Sequence, residues 1–290
     1  MKKLLLLPVL LMAMQSFGQL TPVNYTEGGQ KLSGFAGAPE RTPKFKAGIL
    51  ILPAWLGINN HSKEVAEKLT KRGYYTFVAD IYGEGKYPAD VKQAGEQSGY
   101  YKSHPDAYQK RIKAALDELI KAGADADKIV VIGYCFGGTG ALEAARGGLN
   151  VQGVVSFHGG LGKDASRATT AIKPMVLALH GADDPYVPQK DVDGFIKEMK
   201  DAKADWQLTY YSGAVHAFTE KEAGNDNSKG AAYNQVADNR SWDAFMQFLK
   251  EVFKEEKKAL RPAKTAKNLS DDKGKPADGI NEGSKIKRKE

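Results

Sequence analysis

Gly133-Tyr134-Cys135-Phe136-Gly137-Gly138 is the stretch that decides how this chain folds. An apolar run, Lys128-Ile-Val-Val-Ile132, precedes it, and a helix-forming run, Thr139-Gly-Ala-Leu-Glu-Ala-Ala-Arg146, follows. Strand, tight Gly-flanked turn, then helix is the context that makes G-x-S-x-G a nucleophile elbow, here with cysteine in place of serine. Such a turn aims its central side chain out of the sheet into a cleft. It requires small residues two positions to either side, and Gly133 and Gly137 supply them. It also sets the sulfur at a helix N-terminus, where partial positive charge favours thiolate over thiol. A glycine-rich strand-to-helix turn can instead cradle a phosphate. This run is neither G-x-x-x-x-G-K-[ST] nor G-x-G-x-x-G.

Outward from the turn, strand and helix alternate. Strands are expected at Ala47–Leu52, Tyr74–Ala79, Val151–Phe157, Pro174–Leu179 and Trp206–Tyr211, each a short apolar run. Two further short strands surround Gly28-Gly29. Helices are expected from Asn59 or Asn60 to about Arg72, from Pro105 to Ala122, over Val192–Met199, and from Arg240 to about Lys257. Residues 81–105 read as a long polar connection. The alternation implies an α/β architecture with a mostly parallel central sheet and helices on both faces. Its active groups belong on loops at the strands' C-terminal ends.

Those loops carry two chemical candidates. Asp183-Asp184-Pro185-Tyr186-Val187-Pro188 follows one strand and Ala214-Val215-His216-Ala217-Phe218 another. In the order Cys135, Asp184, His216 they follow the nucleophile–acid–histidine order of α/β-hydrolases. His216 would take the thiol proton and return it to the leaving group, and Asp184, or its neighbour Asp183, would orient the imidazole. The oxyanion would be held by the backbone N–H groups of Phe136 and Trp55. His158 reads equally as strand-end structure or as part of the cleft, with Tyr134 as a further cleft candidate. His180 reads as satisfying strand-end backbone groups, His61 and His104 as loop or cap residues, and Asp80 as a loop organiser. With no H-E-x-x-H and no Cys/His cluster, a metal is not indicated.

At these residues the chain resembles the dienelactone hydrolase family of α/β-hydrolases. Gly133–Gly138, Asp184-Pro-Tyr-Val-Pro188 and Val215-His216-Ala-Phe218 carry the resemblance. Pro53-Ala-Trp-Leu-Gly-Ile-Asn59 and Ala79-Asp-Ile-Tyr-Gly83 support it, and it runs from about Val23 to Phe253. It implies a cofactor-independent hydrolase of ester, lactone or thioester bonds that works through an acyl-thioester. It implies a small-molecule substrate. The family's glutamate after the first core strand is matched here by Ala54. An arginine expected near the histidine is matched by Glu220, and Ala217 follows His216. A neutral or cationic ester then fits better than a carboxylate-bearing dienelactone. Ala54 also keeps open a catalytically inactive, ligand-binding member of the same fold. A thiol redox sensor is a third reading, though it would need an external partner thiol.

The ends read differently from the body. Met1-Lys2-Lys3, apolar Leu4–Met14 and Ser16-Phe17-Gly18 form an expected signal peptide, residues 1–18, cleaved after Gly18. This places the protein in the periplasm or outside the cell, with no stable membrane span after cleavage. Residues 19–259 form one expected domain of about 240 residues, for which a 42% hydrophobic composition is sufficient. A lone cysteine cannot make an internal disulfide, and in an oxidising compartment it implies a task. The formal charge of +7 is concentrated at the ends. Lys2 and Lys3 supply +2, and residues 260–290 hold nine Lys/Arg against five Asp/Glu, which leaves the body near neutral. Nucleic acid is therefore rejected as a partner, and 260–290 are expected to form a disordered basic tail.

Overall fold

Eight strands make one sheet in the order β1-β2-β4-β3-β5-β6-β7-β8. They belong to a computed structural model that describes residues 20–43 and 45–253. The expected leader, the expected tail and the part of the expected last helix beyond residue 253 lie outside the described residues. β1 (Thr21–Glu27) and β2 (Gln30–Gly37) form an antiparallel hairpin whose register runs from Thr21↔Ala36 to Glu27↔Gln30. Its two-residue turn puts Gly28 and Gly29 at φ 55° and 81°, values that suit the right-handed twist of the strands and that glycine adopts without strain.

β2 joins β4 (Tyr75–Val78) antiparallel, and every remaining pairing is parallel. The central strands are β3 (Gly48–Leu52), β5 (Ile129–Tyr134), β6 (Gly153–Phe157) and β7 (Met175–Gly181), with β8 (Trp206–Tyr211) at the edge. β3, β5 and β6 are buried along their whole length. Their sequences are therefore continuous apolar runs rather than alternating ones, as strands covered on both faces must be.

The period-two geometry of β3 divides the core. Leu50 and Leu52 face α3 (Pro105–Lys121), α4 (Phe136–Arg146) and α5 (Gln189–Asp201), where Ile112, Leu116, Leu142 and Phe195 pack. Ile49 and Ile51 face α1 (Asn60–Thr70) and α6 (Gln235–Val252), where Val65, Leu69, Phe245 and Leu249 pack. Asn59 caps α1 in a reciprocal box with Ser62.

Two sequence expectations are corrected. The connection 81–105 contains a helix, α2 (Val91–Ser103), capped by Asp90, whose Oδ1 accepts from the Gln93 N–H at 2.8 Å. Its inward positions are Ala94, Ser98 and Tyr101, so helical spacing is present without an apolar stripe. The last helix begins at Gln235, not Arg240. Asn234 Oδ1 caps it by accepting from Ala237 N–H at 3.1 Å, and its first turn buries only Ala237. No helix among the described residues is long and apolar enough to cross a membrane.

Candidate active site

Cys135 sits between β5 and α4 with φ 54° and ψ −113°, a backbone that L side chains rarely adopt and that costs about 1–3 kcal/mol. The surrounding main chain holds it there. A Cβ on Gly133 would collide with the carbonyl of Gly137, and one on Gly137 with the carbonyl of Leu52. Both positions need glycine because backbone meets backbone. The second contact also lays the loop after β3, with Pro53, Ala54 and Trp55, against the elbow. Phe136 is the first residue of α4, so its N–H has no acceptor within the helix. Tyr108, on α3, stacks on the Phe136 ring with centroids 4.6 Å apart and donates to the Phe136 carbonyl at 3.0 Å. Tyr82 donates to the Trp55 carbonyl at 2.6 Å, anchoring the other wall. Asp80 organises that wall, accepting from the N–H groups of Ser33, Tyr82 and Gly83 and from the Tyr87 hydroxyl.

The structure brings Cys135, His216 and Asp184 into one hydrogen-bonded row. His216 Nε2 lies 2.9 Å from Cys135 Sγ, and His216 Nδ1 lies 2.8 Å from Asp184 Oδ2. Asp184 follows β7 and its side chain is fully buried. Its second oxygen accepts from the Tyr186 N–H at 2.9 Å, which fixes the carboxylate. Asp183 is exposed, and its N–H donates to the Ala214 carbonyl, so it belongs to the turn. The loop after β8 is pinned at His216, whose N–H donates to Gly230 and whose carbonyl accepts from Ala232. Burial pulls the His216 imidazole down. Its bonds to Asp184 and Cys135 outweigh this and push it up to about 10. The ring is thus held toward its charged form between a sulfur and a carboxylate. That is the arrangement needed to move one proton between a thiol and a leaving group.

Other sequence candidates do not join the row. His158 is fully buried behind Cys135 rather than in a cleft wall. Tyr134 is buried beneath the turn, stacked on Phe157, and borders a cavity of about 350 Å³ with His61, Glu220 and Trp242 on the α1/α6 face. His180 is buried in β7, and its Nδ1 has no hydrogen-bond partner among the described residues, so it does not satisfy strand-end backbone groups. His104 joins α2 to α3, and its Nδ1 lies 2.8 Å from the Tyr100 carbonyl. His61 packs edge-on to Tyr134, and burial lowers it to about 4. Ala54 is buried at the end of β3. Glu220 is half-buried. Burial raises it to about 7, and the nearby His216 opposes this.

Two supporting groups have no motif in the sequence. Tyr108 reaches the elbow from a helix whose spacing only announces a core face. Arg146 donates to Glu143, to both oxygens of Glu198 and to the Leu161 carbonyl, while Arg167 grips Glu143 with two bonds. Charge at helical spacing usually marks a solvated face, but here it ties residues 161–167 to α4 and α5.

The sheet order, the strained turn at the end of β5 and the residues meeting above it define an α/β-hydrolase fold. The model of the dienelactone hydrolase family matches residues 32–253. A Saccharolobus solfataricus protein named "Putative carboxymethylenebutenolidase" is 27% identical, covering 79% of this chain and 98% of its own. A Bradyrhizobium protein named "Probable 2-oxo-3-(5-oxofuran-2-ylidene)propanoate lactonase" is also 27% identical, covering 79% of this chain and 92% of its own. The crystal structure of a dienelactone hydrolase-like promiscuous phosphotriesterase from metagenomic libraries superposes with a TM-score of 0.76 at 33% identity. It covers 81% of this chain and 98% of its own. The chain belongs to the dienelactone hydrolase family and is a hydrolase.

Proposed function

We propose that this protein is an exported, cofactor-independent hydrolase of ester, lactone or thioester bonds, with Cys135 as nucleophile, His216 as proton carrier and Asp184 as its orienting acid. The observation that carries the reading is the unbroken row from sulfur through imidazole to buried carboxylate. Export rests on the sequence of residues 1–18. Lactones enter as substrates through the names of the two curated relatives.

The sulfur attacks the substrate carbonyl carbon, forming a C–S bond while the carbonyl π electrons move to oxygen. The N–H groups of Phe136 and Trp55 receive that oxyanion, the first from the end of α4 and the second from the loop packed on Gly137. As the intermediate collapses, the C–O bond breaks and His216 donates its Nε2 proton to the departing oxygen. A water then attacks the thioester, with His216 taking a proton from it. Collapse of this second intermediate releases the acid and regenerates the starting pair. In a lactone the departing oxygen stays on the same molecule, so the ring opens. Asp184 keeps Nδ1 as the donor throughout and stabilises the charged ring.

Cys135→Ala tests this, with p-nitrophenyl acetate as substrate. Turnover should vanish while the circular dichroism of the folded protein is kept. Turnover equal to that of the parent would overturn the assignment. A folded parent that binds lactones and never turns over would favour the ligand-binding reading raised by Ala54.

A further inference from the structure

We propose that His158 is a positioning residue: its neutral ring braces the nucleophile turn against the loop that carries His216 and so sets the sulfur-to-imidazole contact. The proposal rests on the hydrolase reading above and adds a third histidine to it.

The hydrogen bonds assign the tautomer. The Cys135 backbone N–H, shared with the Phe157 carbonyl at 3.0 Å, also donates to His158 Nδ1 at 3.2 Å. A backbone N–H can only donate, so Nδ1 is an acceptor and carries no proton. The ring proton is then on Nε2, which lies 2.8 Å from Thr219 Oγ1 and donates to it. Full burial disfavours a charged imidazole and lowers His158 well below the ordinary value, in keeping with this neutral form.

Both ends of the brace sit where they matter. One end holds the main chain of the nucleophile itself. The other holds Thr219, buried and three residues past His216. Between them the ring meets Phe218 edge-on at 5.1 Å and His216 at 5.4 Å. The backbone makes room for this. His158 has φ 40°, in the left-handed region, which swings its ring under the elbow. The next residue, Gly159, lies so close that a Cβ there would come within 2.7 Å of the Gly138 main chain. The elbow is fixed on its far side by Gly137 against Leu52, and the brace fixes its near side to the base loop.

Three variants separate the two ends. His158→Phe removes both bonds and keeps a ring. His158→Asn keeps an acceptor for the Cys135 N–H and tolerates positive φ, but does not reach Thr219. Thr219→Val removes the far end without touching the elbow, and it carries the test should a His158 variant misfold. Melting temperature, kcat and KM for p-nitrophenyl acetate, and the rate of Cys135 alkylation by iodoacetamide at pH 6 are measured for each. Each folded variant should lose roughly tenfold in kcat at unchanged KM, with a matching fall in alkylation rate, as loosened reacting groups do. His158→Phe combined with Thr219→Val should be no worse than either alone, because both break one brace.

Thr219→Val or His158→Asn with parent kcat and alkylation, or losses that multiply in the double variant, would overturn the brace. If the parent hydrolyses no ester yet alkylation still falls in the variants, the hydrolase reading fails and the brace stands. If the parent turns over and the variants match it, the brace alone fails.

Discussion

Replacing Asp184 by Asn keeps an oxygen for His216 Nδ1 while removing the charge. His216 is pushed up to about 10 from an ordinary 6.5, a preference for the charged ring of about 5 kcal/mol. Burial works against that preference, and two partners, the Asp184 carboxylate and Cys135, produce it. Because the resting ring is itself charged, losing the carboxylate's share shows where the variant's ring has released its proton and the parent's has not: kcat/KM should fall at least tenfold below the parent on the alkaline side, approaching pH 10, each tenfold being about 1.4 kcal/mol. Stopped-flow or steady-state hydrolysis of p-nitrophenyl acetate from pH 5 to 10 reads it as kcat/KM. Stability should follow the same group. A raised imidazole stabilises the fold fully below pH 6.5 and loses that contribution as pH climbs through about 10. Asp184→Asn should therefore be less stable than the parent at pH 6, and the two should converge above pH 10. A variant within threefold of the parent kcat/KM across this range would refute the reasoning, since the carboxylate would then do nothing for the ring.

Two other perturbations follow from buried charge. Glu220 is raised from 4.5 to about 7, so the folded protein holds a proton that the unfolded chain has already released, and ionisation costs stability progressively between these pH values. Glu220→Gln should be more stable than the parent at pH 8, by about 1–3 kcal/mol, and equal to it near pH 4; urea titrations at both pH values check the sign. Arg146→Met strips the buried Glu198 of its cation and leaves Glu143 with Arg167 alone. Urea unfolding should show a loss of about 3 kcal/mol, the usual cost of breaking a buried pair from one side, and a change below 0.5 kcal/mol would mean water already reaches the site.

The parallel core was legible because buried strands leave continuous apolar runs, as Ile129–Ile132 and Val154-Val155 do. The elbow was legible because two glycines at fixed offsets leave little other use for a Gly-x-Cys-x-Gly turn between a strand and a helix. Asp184 and His216 stood out as polar residues just beyond apolar strands. α2 was not legible, because Ala94, Ser98 and Tyr101 face inward without making an apolar stripe. Nor was the role of His158. A histidine after a strand does not say which way its ring turns; that is set by its positive φ and by the closeness of Gly159 to Gly138, both products of tertiary packing. The Arg146 network was hidden for a similar reason. Its partners Glu198 and Leu161 come from other segments of the chain, and no local pattern joins them.

The account stands on Cys135 forming a bond to the acyl group of its substrate. Rapid acid quench of the protein with p-nitrophenyl acetate, followed by digestion and mass spectrometry, observes that bond directly. The peptide containing Cys135 should gain one acetyl group within the first turnover and lose it as substrate is exhausted. Steady hydrolysis of the same ester with that peptide unmodified at every quench time would contradict the account.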